Sequence, residues 1–147
     1  WSWSRGLGDV YKRQISMSGV AEHYDRRLAI QLLANDFVVI FTAGTGNPFF
    51  TTDTAGCLRA IETQADIMLK ATRVDGVYSA DPEKDKNAIF YPSLAFDDAI
   101  RQNLKIMDAT ALTLARDHSL PLKVFNLNQD DALKRIACGE EIGTLIS

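Results

Sequence analysis

Cysteine is scarce in this chain and makes no framework. Cys57 and Cys138 are the two present, and they lie far apart. Neither takes part in a CxxC or Cys/His spacing of the kind that holds a metal, so no metal ligands are assigned. Both fall in segments that read as helices beside apolar neighbours. The expectation is two buried, reduced thiols rather than a disulfide. Long apolar runs are also missing. None approaches the roughly 20 residues that cross a bilayer, and the first residues lack the apolar core of a signal peptide. A cytoplasmic location without membrane contact is expected. An excess of positive charge is missing too. Sixteen Lys and Arg stand against 19 Asp and Glu, a net charge of −3, with the cations scattered. That argues against an electrostatic nucleic-acid surface. It leaves a nucleotide ligand open, because backbone N–H groups hold phosphate without net positive charge. Repeats and low-complexity linkers are absent as well. What remains is 147 residues at 46% hydrophobic and 24% charged, enough for one domain with a core.

Residues 1–14, WSWSRGLGDVYKRQ, have no helical or strand period and no initiator Met. They read as a non-native or disordered extension, and residues 15–147 as the folded part. Within the latter, apolar spacing predicts a helix over Asp25–Asn35 with Asp25 as cap. Phe37–Thr42, FVVIFT, is a short continuous apolar run and reads as a strand buried on both faces. A helix is expected over Thr52–Thr63, with a second buried strand at Ile67–Ala71. Val74–Ala88 reads as a polar loop. Helices follow at Phe96–Gln102 and Met107–His118. Leu122–Leu127 is a third strand, Asp130–Cys138 a helix stopped by Gly139, and Gly143–Ile146 a last short strand. This alternation is that of βαβ units, so an α/β fold with a mostly parallel sheet and helices on both faces is expected.

Ligands of open α/β sheets bind beyond the carboxyl ends of strands. The segment Ala43–Asp53, AGTGNPFFTTD, follows FVVIFT at such an end. Gly44 and Gly46 permit positive φ and close approach. Thr51, Thr52 and Asp53 open a helix, whose free N–H groups and hydroxyls suit an anion. Thr45 and Asn47 can hydrogen-bond a base or sugar. Phe49 and Phe50 can stack on a base, although adjacent aromatics more often pack a loop onto the core or a subunit interface. The loop is neither GxxxxGK[ST] nor GxGxxG, and a tight turn with a Thr/Asp N-cap remains the alternative.

Four blocks, in this order, resemble the bacterial uridylate kinase family: GTGNPFFTTD (44–53), LKATRVDGVYSADP (69–82), LKIMDATALTLARDHSLPLKVFNLN (104–128) and GTLI (143–146). The resemblance implies the amino-acid-kinase fold, a three-layer αβα sandwich, assembled as homohexamers. It implies transfer of the ATP γ-phosphoryl group to UMP, giving UDP and ADP in pyrimidine biosynthesis, with Mg²⁺, GTP activation and UTP inhibition. By the family's motifs, Thr45, Gly46, Asn47, Pro48, Phe49, Phe50, Thr51 and Thr52 contact UMP. Thr72, Tyr78 and Asp81 contact ATP, and Asp108 lies near the reacting phosphates as the catalytic candidate. Each has a plain alternative: a half-buried loop anchor for Tyr78, an Asp-Pro turn for Asp81, and an N-cap for Asp108.

The chain also departs from that family. It contains neither the family's KLSGE-type loop, whose lysine and glycine hold the transferring phosphate, nor the GGGN segment and the acidic residue after it that binds the UMP ribose. The N-terminal part of the sandwich is expected to be missing, leaving an exposed sheet edge and an inactive fragment. Two other readings compete: a non-catalytic nucleotide-binding or storage module of the same fold, and an amino-acid kinase acting on a carboxylate or carbamate.

Overall fold

A computed structural model describes residues 23–147; the 1–14 extension lies outside them. The chain divides into two compact units, Trp1–Gln64 and Ala65–Ser147.

In the first unit, helix α1 spans Arg26–Ala34, and Asp25 caps it by accepting from the Leu28 N–H at 3.0 Å. Helix α2 spans Thr52–Glu62. Between them, Phe37–Thr42 departs from the expected buried strand. Apart from an isolated bridge at Thr42 it forms no ladder among the described residues, and Val38 is 68% exposed. Apolar, β-branched composition favours strand geometry, but only a neighbouring strand can complete the hydrogen bonds and cover the faces.

The back of α2 is fastened by a polar cluster. The Arg59 guanidinium is buried, at 6% exposure, and lies over the Tyr24 ring, 3.7 Å from its centroid. Arg59 pairs with Glu62, which also accepts from the Tyr24 hydroxyl at 2.6 Å. Burial first, and then the Glu62 acceptor, push the Tyr24 phenol up. Arg26 Nε donates to the Glu62 carbonyl at 2.7 Å, tying the start of α1 to the end of α2.

The second unit is built on a mixed, mostly parallel sheet with helices. Strand β1 is Met68–Thr72, β2 Val77–Tyr78, β3 Phe90–Tyr91 and β4 Ser93–Leu94. Helices α3 (Phe96–Arg101) and α4 (Ala109–Asp117) follow, then β5 (Leu122–Asn126), α5 (Ala132–Ala137) and β6 (Thr144–Ile146). The main sheet has the order β1-β5-β6-β4. β1 runs parallel to β5 with Met68 opposite Leu122, and β4 parallel to β6. β5 and β6 are antiparallel, with Val124 opposite Thr144. The helix between them explains this. Six residues rise only about 9 Å, short of the roughly 17 Å of a five-residue strand, so α5 does not carry the chain back to the start of β5. Gly143, at φ +79°, makes the turn into β6; a Cβ there would collide with the Val124 carbonyl oxygen.

Leu122, Phe125 and Ile146 form the buried centre of the sheet. Ala99 of α3 and Ala111 and Ala115 of α4 are fully buried where the two helices meet, since small side chains permit close helix approach. β1 is half-buried rather than covered on both faces. The Val74–Ala88 segment is not all loop, because β2 pairs antiparallel with β3 in a separate hairpin. Of the two thiols, Cys57 is buried as expected but Cys138 is exposed. It caps the outer end of α5, where a six-residue helix covers few of its own residues.

Candidate functional site

The loop after Thr42 is shaped by left-handed backbone. Ala43 (φ +66°), Gly44 (+64°) and Gly46 (+71°) bring the chain round. Ala43 and then Phe49, at +69°, take a conformation that costs an ordinary L-residue about 1–2 kcal/mol. Phe49 is 102% exposed and Phe50 is exposed beside it. Neither packs onto the core, contrary to one of the sequence expectations, because the left-handed turn at Phe49 carries its ring into solvent. Thr45 is buried, and its Oγ1 accepts from the Asn47 N–H at 3.1 Å. The Asn47 side-chain amide lies 3.5 Å from the Thr45 carbonyl. Gly46, Pro48 and Thr52 are exposed along the same loop.

The start of α2 differs from a row of free donors. Thr51 Oγ1 already accepts from the N–H groups of Asp53 (3.1 Å) and Thr54 (3.4 Å). A Thr followed by orphan helix amides folds back onto them when nothing stronger competes. The loop residues 45–52 are therefore gathered in one feature: a turn, an exposed aromatic pair and a capped helix N-terminus.

The other candidates lie in the second unit, Thr72 at the carboxyl end of β1 and Tyr78, Asp81 and Asp108 further along the chain. Thr72 closes β1, and its hydroxyl donates to the Val74 carbonyl at 2.7 Å, with the Phe125 carbonyl 3.1 Å away. Tyr78 sits half-buried in β2, edge-on to Phe90 with ring centroids 5.3 Å apart. Asp81 heads a turn: its carbonyl accepts from Lys84 and Asp85, and its carboxylate accepts from the Glu83 N–H and pairs with Lys84 at 3.0 Å. The Lys84 ammonium, and then the Glu83 N–H, hold this carboxyl below its usual range. Asp108 caps α4 by accepting from the Ala111 N–H at 3.0 Å. The plain turn and cap roles of Asp81 and Asp108 are thus observed, while Tyr78 is half-buried in a strand rather than a loop, and none of this prevents a ligand role.

Two further residues of this region, both inside the four family-like blocks, are not among the site candidates read from the sequence. Asp75, between β1 and β2, accepts from the side-chain amides of Asn126 and Gln129, both at 2.9 Å. Those two bonds, Asn126 first, hold its carboxyl below the ordinary 3.8. Thr144, in GTLI, is fully buried and bonds the hairpin β2–β3. The partners are 51 to 67 positions apart, so no local pattern announces them. Among the described residues, no three His, Cys, Asp or Glu side chains group as a metal cage, and no helix is long and apolar enough to cross a membrane.

Known proteins place the chain in context. The sequence signature of the Amino acid kinase family matches residues 5–126. The chain is 58% identical over 133 residues to a uridylate kinase of Pectobacterium atrosepticum and 57% identical to one of Serratia proteamaculans. Each match covers 90% of this chain and 55% of the relative, so the chain spans about half the length of these curated relatives. Among solved structures, UMP kinase from Bacillus anthracis superposes with a TM-score of 0.92 at 43% identity, covering 98% of this chain and 60% of that one. UMP kinase from Ureaplasma parvum gives 0.87 at 36% identity, over 94% of this chain and 59% of the other. With 122 of its residues under that signature, the chain belongs to the amino acid kinase family.

Proposed function

We propose that the protein to which this chain belongs is a UMP kinase, transferring the γ-phosphoryl group of ATP to UMP in pyrimidine nucleotide synthesis. The observation that carries the reading is the 43–53 loop: left-handed turns, then an exposed phenylalanine pair, ending in a helix N-terminus. Uridylate kinases at 58% and 57% identity support the same assignment.

In this reading the loop is the acceptor side. Thr45 and Asn47 brace one another and hold the turn that receives the nucleoside, with Gly46, Pro48, Phe49 and Phe50 around it. A phosphate carries more negative charge than a hydroxyl and accepts stronger, charge-assisted bonds. It would replace Thr51 Oγ1 as acceptor of the Asp53 and Thr54 N–H groups, freeing the Thr51 hydroxyl to donate to it, with Thr52 alongside. The helix dipole favours the same exchange. On the donor side, Tyr78 offers a ring face for a purine, and Thr72 and Asp81 offer hydrogen-bonding groups. Phosphoryl transfer needs in-line positioning and charge neutralisation more than covalent help from the protein. Mg²⁺, which keeps most of its waters and binds largely through phosphates, would supply part of that neutralisation, with Asp108 orienting the hydrated ion or a lysine. A cytoplasmic homohexamer activated by GTP and inhibited by UTP completes the proposal.

The 147-residue chain by itself is proposed to be inactive, since KLSGE and GGGN segments are absent from its sequence. Removing the main electrostatic clamp on a transferred group costs on the order of 3 kcal/mol or more of barrier. A coupled assay for ADP release with ATP, Mg²⁺ and UMP tests both statements. The full-length gene product should turn over UMP in preference to AMP and CMP, and the chain alone should not. Equal use of all three nucleotides would defeat the UMP assignment. Turnover by the chain alone would defeat the inactivity claim. UMP and ATP binding to the full-length protein without turnover would instead favour the storage or binding module.

A further inference from the structure

Two side chains outside the proposed nucleotide contacts hold the hairpin that carries Tyr78. Hairpin β2–β3 has two residues per strand and forms a sheet of its own. A ribbon that short is not stable in water without help. Its help comes from Thr144, the threonine of GTLI, which is 0% exposed. Thr144 Oγ1 accepts from the Val77 N–H at 2.8 Å and donates to the Tyr91 carbonyl. Val77 and Tyr91 face each other across the hairpin, so one hydroxyl staples both strands to β6.

Gly76 makes room for this contact. A Cβ at position 76 would stand 2.5 Å from Thr144 Oγ1 and 2.8 Å from the Phe90 ring, distances that a side chain cannot keep. One residue earlier, the two amide bonds of Asp75 tie the entry of the hairpin to the end of β5 and the turn after it. Asp75 and Val77, on either side of Gly76, are thereby fixed to β5, the turn after it and β6 by side-chain hydrogen bonds. The residue that follows is Tyr78, and the Asp81 turn is three further on.

We infer that Thr144 and Asp75 are positioning residues for the nucleotide donor, setting the place of the Tyr78 ring and the Asp81 turn without touching the ligand. The inference rests on the reading of Tyr78 and Asp81 as the ATP side. It gives GTLI and the end of the 104–128 block a role in the site through Thr144 and Asn126.

The test uses Thr144→Val, which keeps the shape and removes the hydroxyl, with Thr144→Ser as the conservative rescue. Asp75→Ala is a second variant at an exposed position, where the core is not emptied. In each protein, amide hydrogen exchange is followed at residues 76–79. In the full-length enzyme, KM for ATP, KM for UMP and kcat are measured separately. Thr144→Val and Asp75→Ala should both speed exchange at Val77 and Tyr78. Each should raise KM for ATP about tenfold while KM for UMP stays within about twofold, as expected for loss of a hydrogen bond that acts on one substrate. Thr144→Ser should restore both readings. Unchanged exchange, or ATP and UMP constants rising together, overturns the inference. An unaltered full-length enzyme that binds no ATP would overturn the kinase reading instead, leaving exchange at residues 76–79 to decide whether the staple exists.

Discussion

Thr51, Phe49 and Asp75 each do something that a single substitution exposes. Thr51 satisfies two amides at the start of α2. Thr51→Ala should lower stability by about 1 kcal/mol, and Thr51→Ser should not; urea midpoints compare them. Phe49 holds a left-handed backbone with its ring in solvent. Phe49→Gly should stabilise the fold, by up to about 1 kcal/mol, since it relieves that conformation and uncovers no core. If the ring serves UMP, the same change weakens UMP binding in the full-length enzyme. Opposite signs in a melting curve and a UMP titration separate a functional ring from an incidental one. The Asp75 carboxyl is held below its ordinary 3.8 by Asn126 and Gln129. Its folded pKa is depressed, so its contribution is present above 3.8 and is lost as the pH falls through the lower folded value. Asp75→Asn, which retains an acceptor but does not titrate, should flatten that part of the acid limb. The group is exposed, so the difference is small, and urea midpoints at pH 6 and pH 3 measure it.

At the scale of elements, the connections decide more than the strands do. β6 reaches its antiparallel place because α5 is short and because Gly143 turns where any Cβ would meet the Val124 carbonyl. Gly143→Ala should therefore cost about 2–5 kcal/mol, from the positive φ and the overlap together. Denaturation of the chain checks this, and a loss below 1 kcal/mol would mean the turn relaxes freely. Leu122, fully buried in β5, serves as the comparison: Leu122→Ala should cost about 2–5 kcal/mol through lost burial and the cavity left behind. The helix boundaries were legible to within a residue or two where caps announced them. Asp25, Thr51 and Asp108 accept from the amides their positions predict, and Gly139 ends α5 at φ +90°. The β2–β3 hairpin was not legible, since two-residue strands show no period and their pairing is stapled from Thr144.

For the molecule as a whole, the run Phe37–Thr42 has a physical consequence. Phe37, Val38 and Ile40 are exposed in a segment that forms no ladder among the described residues, the kind of surface that recruits another chain. The 147-residue chain should self-associate as its concentration rises, and Val38→Lys should reduce this, as measured by light scattering. Concentration-independent scattering from the unaltered chain would refute it. The sequence by itself determined the local elements, their caps and glycine stops, and the family, because periodicity, capping chemistry and motif order are properties of neighbouring residues. Only the tertiary structure decided that FVVIFT is exposed at Phe37, Val38 and Ile40, that Cys138 faces solvent and that β6 runs against β5. It alone brought Asp75 to Asn126 and Gln129, and Thr144 to both strands of the hairpin. Those outcomes depend on which distant group arrives beside a residue. Burial and hydrogen bonding are settled there, after the chain has folded, and leave no mark on its local pattern.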